Sequence, residues 1–326
     1  MFKGFGLTGA AGLASGVVFL SVISGGALGI LLIYLVPLPL MLIGLSAGPL
    51  QAFLAAVLAA AVVAGTGMIH AVPSFAMVAA APALILVAAA LRRRQTTLED
   101  GEGRAPAVVI DQWSSPGAVL ATLTGAAVAL MLAGAAIMAA QGIDIQGLMH
   151  KHVADFLDQV TKGPMAAEAP PGMRETLIGL WTALMPALAC CAWLVIAVIN
   201  GVAAQWIVVR AERARRPTPS YADMLLPWWV AAALAVAAGI GFLAPGNAGY
   251  VARNAAVVLV LPYTFCGLAV VHQMLRRYPA GRLWLGLFYV SFVVLFQWAL
   301  FAVAGLGLVR HWTRPRRQDA RGQEEK

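Results

Sequence analysis

Between Gly4 and Leu91 the chain has no Lys, Arg, Asp or Glu. A stretch of that length with no charge cannot build a water-facing surface, which excludes a soluble domain there. Over the whole sequence only 11% of residues are charged, against about 25% in ordinary soluble domains. Cysteine is confined to Cys190, Cys191 and Cys266, all inside apolar runs and without CxxC or Cys/His spacing. That pattern excludes a disulfide scaffold and a zinc site of known spacing, and leaves the thiols as small apolar packing groups. No metal and no cofactor is expected. No Walker loop, HExxH string or acidic pair stands inside an apolar run, so nothing points to an enzyme.

What the chain does have is apolar sequence: 61% of residues are hydrophobic and the mean hydropathy is +0.84. Uncharged apolar runs of about 18 residues or more are long enough to cross a bilayer as helices. They are continuous rather than alternating, which favours helices over a barrel. The expected fold is all-α, a polytopic transmembrane helical bundle of eight or nine spans with an amphipathic interfacial helix. The spans fall at about 7–24, 27–46, 50–69, 73–91, 116–140, 177–208, 225–244, 254–275 and 283–308. Residues 1–309 form a single transmembrane domain, and 310–326 a polar basic tail expected to be disordered beyond Arg317. Lys3 followed by apolar residues resembles a signal peptide; no hydrophilic domain follows, so this segment is expected to stay as the first helix.

The net charge is +8. Its basic residues sit in short clusters beside apolar runs, which is the pattern of membrane topology and not of nucleic-acid binding. Clusters at 92–94, 210–216 and 276–282 are placed in the cytoplasm. The loop 141–175, with three basic and five acidic residues, is placed outside. One straight crossing from 282 to 309 would then leave the arginines of the tail outside; a bent hairpin, an earlier re-entrant segment or a failure of the rule would each account for them. The excess of Arg over Lys, with abundant Ala, suggests a bacterial genome and hence a multi-pass protein of the bacterial inner membrane. Residues 92–115 are expected to be a polar loop. In the outer loop, Ile145, Leu148, Met149, Val153, Phe156, Leu157 and Val160 recur at helical spacing opposite His150, Lys151, Asp155, Asp158 and Gln159, the mark of a helix lying at an interface.

Few polar residues interrupt the spans. Gln51, Asn254 and Gln297 are the candidates for a cavity; Asn200 lies late in the sixth span, and Asn254 also suits an N-cap. Gly12-x-x-x-Gly16 and Gly25-x-x-x-Gly29 have the spacing of close helix contacts. Pro37 and Pro39 would stand in the middle of the second span, and Pro82, Pro186 and Pro262 inside three others. Each proline removes an N–H donor and clashes with the preceding turn. Lipid cannot satisfy the freed carbonyls, so protein or water must. The expectation is a distorted second span whose break faces the bundle interior, as in transporters that build sites from broken helices.

The string "LLPWWVAAALAVAAGIGF…NAAVVLVLPYTFCGLAVVHQMLRR", with Leu226-Pro227, Asn254 and the run Gly267 to His272, resembles the YybS-like family of bacterial membrane proteins. Pro-Leu-Pro followed by "GLSAG" fits the same resemblance. That family usually ends in Gly-Leu-x-Asp before a basic tail; here Gly305-Leu306-Gly307-Leu308 lacks the acid. It is in turn similar to the S components of energy-coupling factor transporters, which implies a helical bundle that binds a small molecule from outside and docks on a membrane partner. The function expected is small-molecule binding or transport in the bilayer; the alternative is a non-enzymatic scaffold or assembly factor that holds a membrane-protein partner through its helix faces.

Overall fold

A computed structural model describes residues 2–23, 29, 32–98, 108–160, 172–221 and 224–324. Its helices are α1 (Phe2–Ile23), α2 (Leu38–Ala47), α3 (Pro49–Gly65), α4 (Ile69–Ala90), α5 (Pro116–Ala140), α6 (Ile145–Val160), α7 (Met173–Arg210), α8 (Trp228–Leu243), α9 (Gly246–Leu275), α10 (Gly281–Val294) and α11 (Phe296–Glu324). Among the described residues, α1, α4, α5, α7 and α9 are long and apolar enough to cross a membrane, and α10 with the first part of α11 adds a sixth candidate as a bent pair. α2, α3 and α8 are apolar but shorter. The protein is an all-α, multi-pass membrane bundle.

Three elements differ from the sequence expectation. The 92–115 segment is not all loop: Arg93–Leu98 (β1) and Val108–Trp113 (β2) pair antiparallel, Arg93 opposite Trp113. Thr96, Thr97, Val108, Val109 and Ile110 are β-branched and suit a ribbon. The Arg93 guanidinium lies 4.3 Å from the centroid of the Trp113 ring, closing the base. The last predicted span is not one straight helix: Gly281–Val294 and Trp298–Thr313 are bent by 119° where Leu295 leaves the helical conformation at φ −100°, in line with one of the alternatives the tail arginines left open. And α11 runs on through the tail to Glu324; its Arg, Gln, Glu and Ala are good helix formers.

Contacts divide the chain into two compact units, Met1–Leu123 with Trp193–Leu225, and Thr124–Ala192 with Leu226–Lys326. Helices α5 and α7 each lend one end to either unit. In the first unit Gly12 and Gly16 let α1 approach α3: a Cβ on Gly12 would stand 2.6 Å from the Ala55 carbonyl, and one on Gly16 3.2 Å from that of Ala59. Of the second small-residue pair, Gly25 lies outside the described residues; a Cβ on Gly29 would stand 2.8 Å from the Ser21 carbonyl. Leu40, Met41, Val63, Phe75 and Val87 fill the core, with the Phe19 and Phe75 rings edge to face. In the second unit α9 meets α11 at Gly267 and Gly307; a Cβ on either would collide with the Val303 or the Tyr263 carbonyl. Helix α6 turns Ile145 and Val153 inward and leaves Phe156 exposed; Lys162 lies outside the described residues.

Arginines read from sequence as topology signals also close helix ends. Arg215 Nη1 donates to the Ala47 carbonyl ending α2 at 3.1 Å, and Arg216 Nη1 to the Ala90 carbonyl ending α4 at 2.7 Å. Arg253 Nη1 donates to the Gly241 carbonyl in the last turn of α8 at 2.9 Å. Helix C-termini carry orphan carbonyls and partial negative charge, which a guanidinium answers on both counts. Arg216 is buried, and that burial pulls its pKa below the usual arginine range.

Candidate functional site

At three proline breaks among the described residues, a polar side chain from another helix meets backbone groups that the break leaves unpaired. Ahead of α2 the chain makes only a 3-10 turn, Ile33–Leu35, then a turn at Val36 and Pro37. Pro37 has no N–H to give the Ile33 carbonyl, which takes the Val36 N–H at 3.4 Å instead. The Tyr34 carbonyl accepts Asn200 Nδ2 from α7 at 2.6 Å, and the Val36 carbonyl accepts Ser15 Oγ from α1 at 2.8 Å. Ser15 is 0% and Asn200 2% exposed. Pro37 is buried and Pro39 half-buried near the start of α2. The Tyr34 and Val36 carbonyls therefore turn into the protein, while the Tyr34 and Leu35 side chains stay exposed.

The same accounting holds at two further prolines. Before Pro82, α4 widens into a π-turn, Ala76–Ala80, with the Ala81 N–H reaching the Ala76 carbonyl. The Met77 carbonyl takes the Trp193 indole N–H at 2.8 Å. In α7, Pro186 cannot bond the Thr182 carbonyl, which takes the Tyr250 hydroxyl at 2.6 Å. One turn along α9, Asn254 inserts its amide into the opened turn: Oδ1 accepts the Ala187 N–H and Nδ2 donates to the Ala183 carbonyl, each at 3.0 Å. Helix α9 begins at Gly246, so Asn254 is interior and is not an N-cap; the helix starts ahead of the predicted span because Gly246, at φ 63°, lets the chain turn directly out of α8.

The sequence candidates do not gather at one place. Pro37 and Pro39 stand at one end of α2. Gln51 stands beyond its other end, accepting the Thr8 hydroxyl at 2.7 Å, and the ten residues of α2 separate these points by about 15 Å. Asn254 belongs to the other unit. Gln297 lies in the first turn of α11, its side chain outside the described residues. Ser15 and Trp193 had no signal in sequence, since a Ser or Trp in an apolar run reads as packing until its partner is known. Gly44-Leu45-Ser46-Ala47-Gly48 has the letters of a nucleophile elbow. Ser46 Oγ, however, donates to the Leu42 and Ile43 carbonyls of its own helix, and a helix, not a strand, precedes it. An open cleft of 720 Å³ lies in the second unit, lined by Ala139, Gly142, Ile143, Asp144, Gln146, Gly147, Gly246 and Asn247; none of the candidates faces it.

One buried group at the first break is left over. Asn200 Nδ2 spends its two protons on the Tyr34 and Ile196 carbonyls, at 2.6 and 2.8 Å. Its Oδ1 is buried with no hydrogen-bond partner, which is costly in an apolar surrounding.

Residues 13–309 match the family model described as "Predicted membrane protein (DUF2232)". The chain belongs to this family. The DUF2232 match spans Ser15, Pro37, Pro82, Pro186, Asn200 and Asn254, and ends before the polar part of α11. Searches of curated proteins and of solved structures find no match.

Proposed function

We propose that this DUF2232 member binds or translocates a small solute at the break between Ile33 and Pro39, in the inner membrane of a bacterium. The observation that carries the reading is the buried, unpartnered Asn200 Oδ1 beside a broken helix whose carbonyls are turned inward. A buried acceptor without a partner calls for an explanation, and a ligand at the break supplies one. The resemblance to S components of energy-coupling factor transporters supports the same reading.

The test is a thermal-unfolding screen of the purified chain in detergent against salts and small metabolites. A ligand that binds only the folded protein raises its melting temperature in a saturable way. At least one solute should do so for the wild type, and the Pro37→Ala/Pro39→Ala double variant should lose that response while keeping its folded yield. No responsive solute, together with a stably co-purifying membrane protein, would replace this reading by the scaffold alternative.

A further inference from the structure

Resting on the reading of the break as a solute site, we propose that the solute held there is a monovalent alkali cation, coordinated by the Tyr34 and Val36 carbonyls, Ser15 Oγ and Asn200 Oδ1. The donor and acceptor inventory leads to this class. Ser15 has one proton and gives it to the Val36 carbonyl; Asn200 has two and gives both to carbonyls. Every proton these two side chains carry is committed, and what remains is lone pairs: the unpartnered Oδ1, the hydroxyl oxygen and the second lone pair of each carbonyl. These two side chains therefore offer acceptors and no free proton, which argues against an anion.

Enclosure selects a compact ion over an organic amine. Ser15 and Val36 are 0% exposed, Asn200 is 2% exposed, and Pro37 is buried beside them. Charge selects a monovalent ion. The oxygens are all neutral, and the sequence from Gly4 to Leu91 carries no carboxylate. Calcium and magnesium sites recruit carboxylates, and transition metals take nitrogen or sulfur ligands; the described residues hold no cluster of three or more His, Cys, Asp or Glu. Unwound backbone carbonyls joined by neutral side-chain oxygens are a coordination set suited to sodium or potassium.

The experiment measures unfolding of the full chain in detergent in sodium, potassium and choline chloride at equal ionic strength, with equilibrium binding of radioactive sodium and rubidium as a second readout. The wild type should show a saturable stabilisation by sodium or potassium that choline does not give, and should bind one of the labelled ions. Ser15→Ala, which deletes one ligand, should weaken that binding about tenfold or more, whereas Ser15→Thr, which keeps the hydroxyl, should retain it. Should Ser15→Ala not fold, the wild-type binding measurement and the Ser15→Thr variant still decide. Equal effects of choline and the alkali salts, with no labelled ion bound, would overturn the cation assignment. If an organic solute still stabilises the wild type in that case, the solute-site reading stands without the ion; if nothing does, both fall.

Discussion

Asn254→Leu tests the central physical idea, that polar side chains on one helix replace backbone bonds that a proline has opened on another. The substitution keeps an apolar side chain of similar size and removes the amide. The Ala187 N–H and the Ala183 carbonyl, each 3.0 Å from that amide, are left facing Leu. Two magnitudes compete. Hydrogen bonds between membrane helices average only about 0.6 kcal/mol by double-mutant cycles. An orphaned buried group costs about 1–3 kcal/mol. The larger figure governs here, because the Pro186 ring keeps the turn from closing and Asn254 is 1% exposed, leaving the orphans no water. The expected loss is about 2–4 kcal/mol, read by reversible unfolding in detergent. Pro186→Ala supplies the missing N–H to Thr182 and lets the turn close, so in that background Asn254→Leu should cost about 1 kcal/mol or less. The coupling energy of the cycle should then exceed about 1 kcal/mol. Additive losses, or an Asn254→Leu protein within about 0.5 kcal/mol of wild type, would refute the clamp.

Arg216→Met should destabilise by about 1.5–3 kcal/mol and the exposed Arg215→Met by less than about 1 kcal/mol, since only the former removes a buried charged cap; equal losses in melting experiments would contradict the ranking. Gly267→Leu should cost about 3 kcal/mol or prevent folding, because its side chain collides with the Val303 backbone. Gly286→Leu meets nothing within 4 Å and should be neutral by the same assay; similar behaviour of the two would mean that α9 and α11 are not in close contact. In a cysteine-free background in lipid vesicles, Phe156→Cys should be shielded from a charged maleimide while Asp155→Cys reacts, although both positions are exposed in the isolated protein; equal labelling would take α6 off the bilayer surface. Reporters fused after Arg216 and after Arg317 should report cytoplasm, and one after Lys162 the outside, given the arginine clusters and the 119° hairpin. An external signal after Arg317 would mean that the last hairpin does not return the chain.

The environment was legible in the residues alone. Charge is so costly in hydrocarbon that its absence from Gly4 to Leu91 leaves few alternatives to a membrane, and the 3.6-residue repeat of Ile145, Leu148, Val153 and Leu157 marked α6 without reference to any partner. Proline chemistry likewise announced that carbonyls near residues 33–35 would need donors from elsewhere. Which donors was beyond the sequence: Ser15 and Asn200 stand 21 and 166 residues from the carbonyls they satisfy, and nothing local to a Ser or an Asn encodes a partner at that distance. The capping by Arg215, Arg216 and Arg253 was hidden for the same reason, whereas the bend at Leu295 was one of the alternatives that the arginines of the tail left open. An arginine beside an apolar run satisfies the topology rule whether it faces water or closes a helix end, and only the packed chain brings a particular C-terminus within reach of its guanidinium.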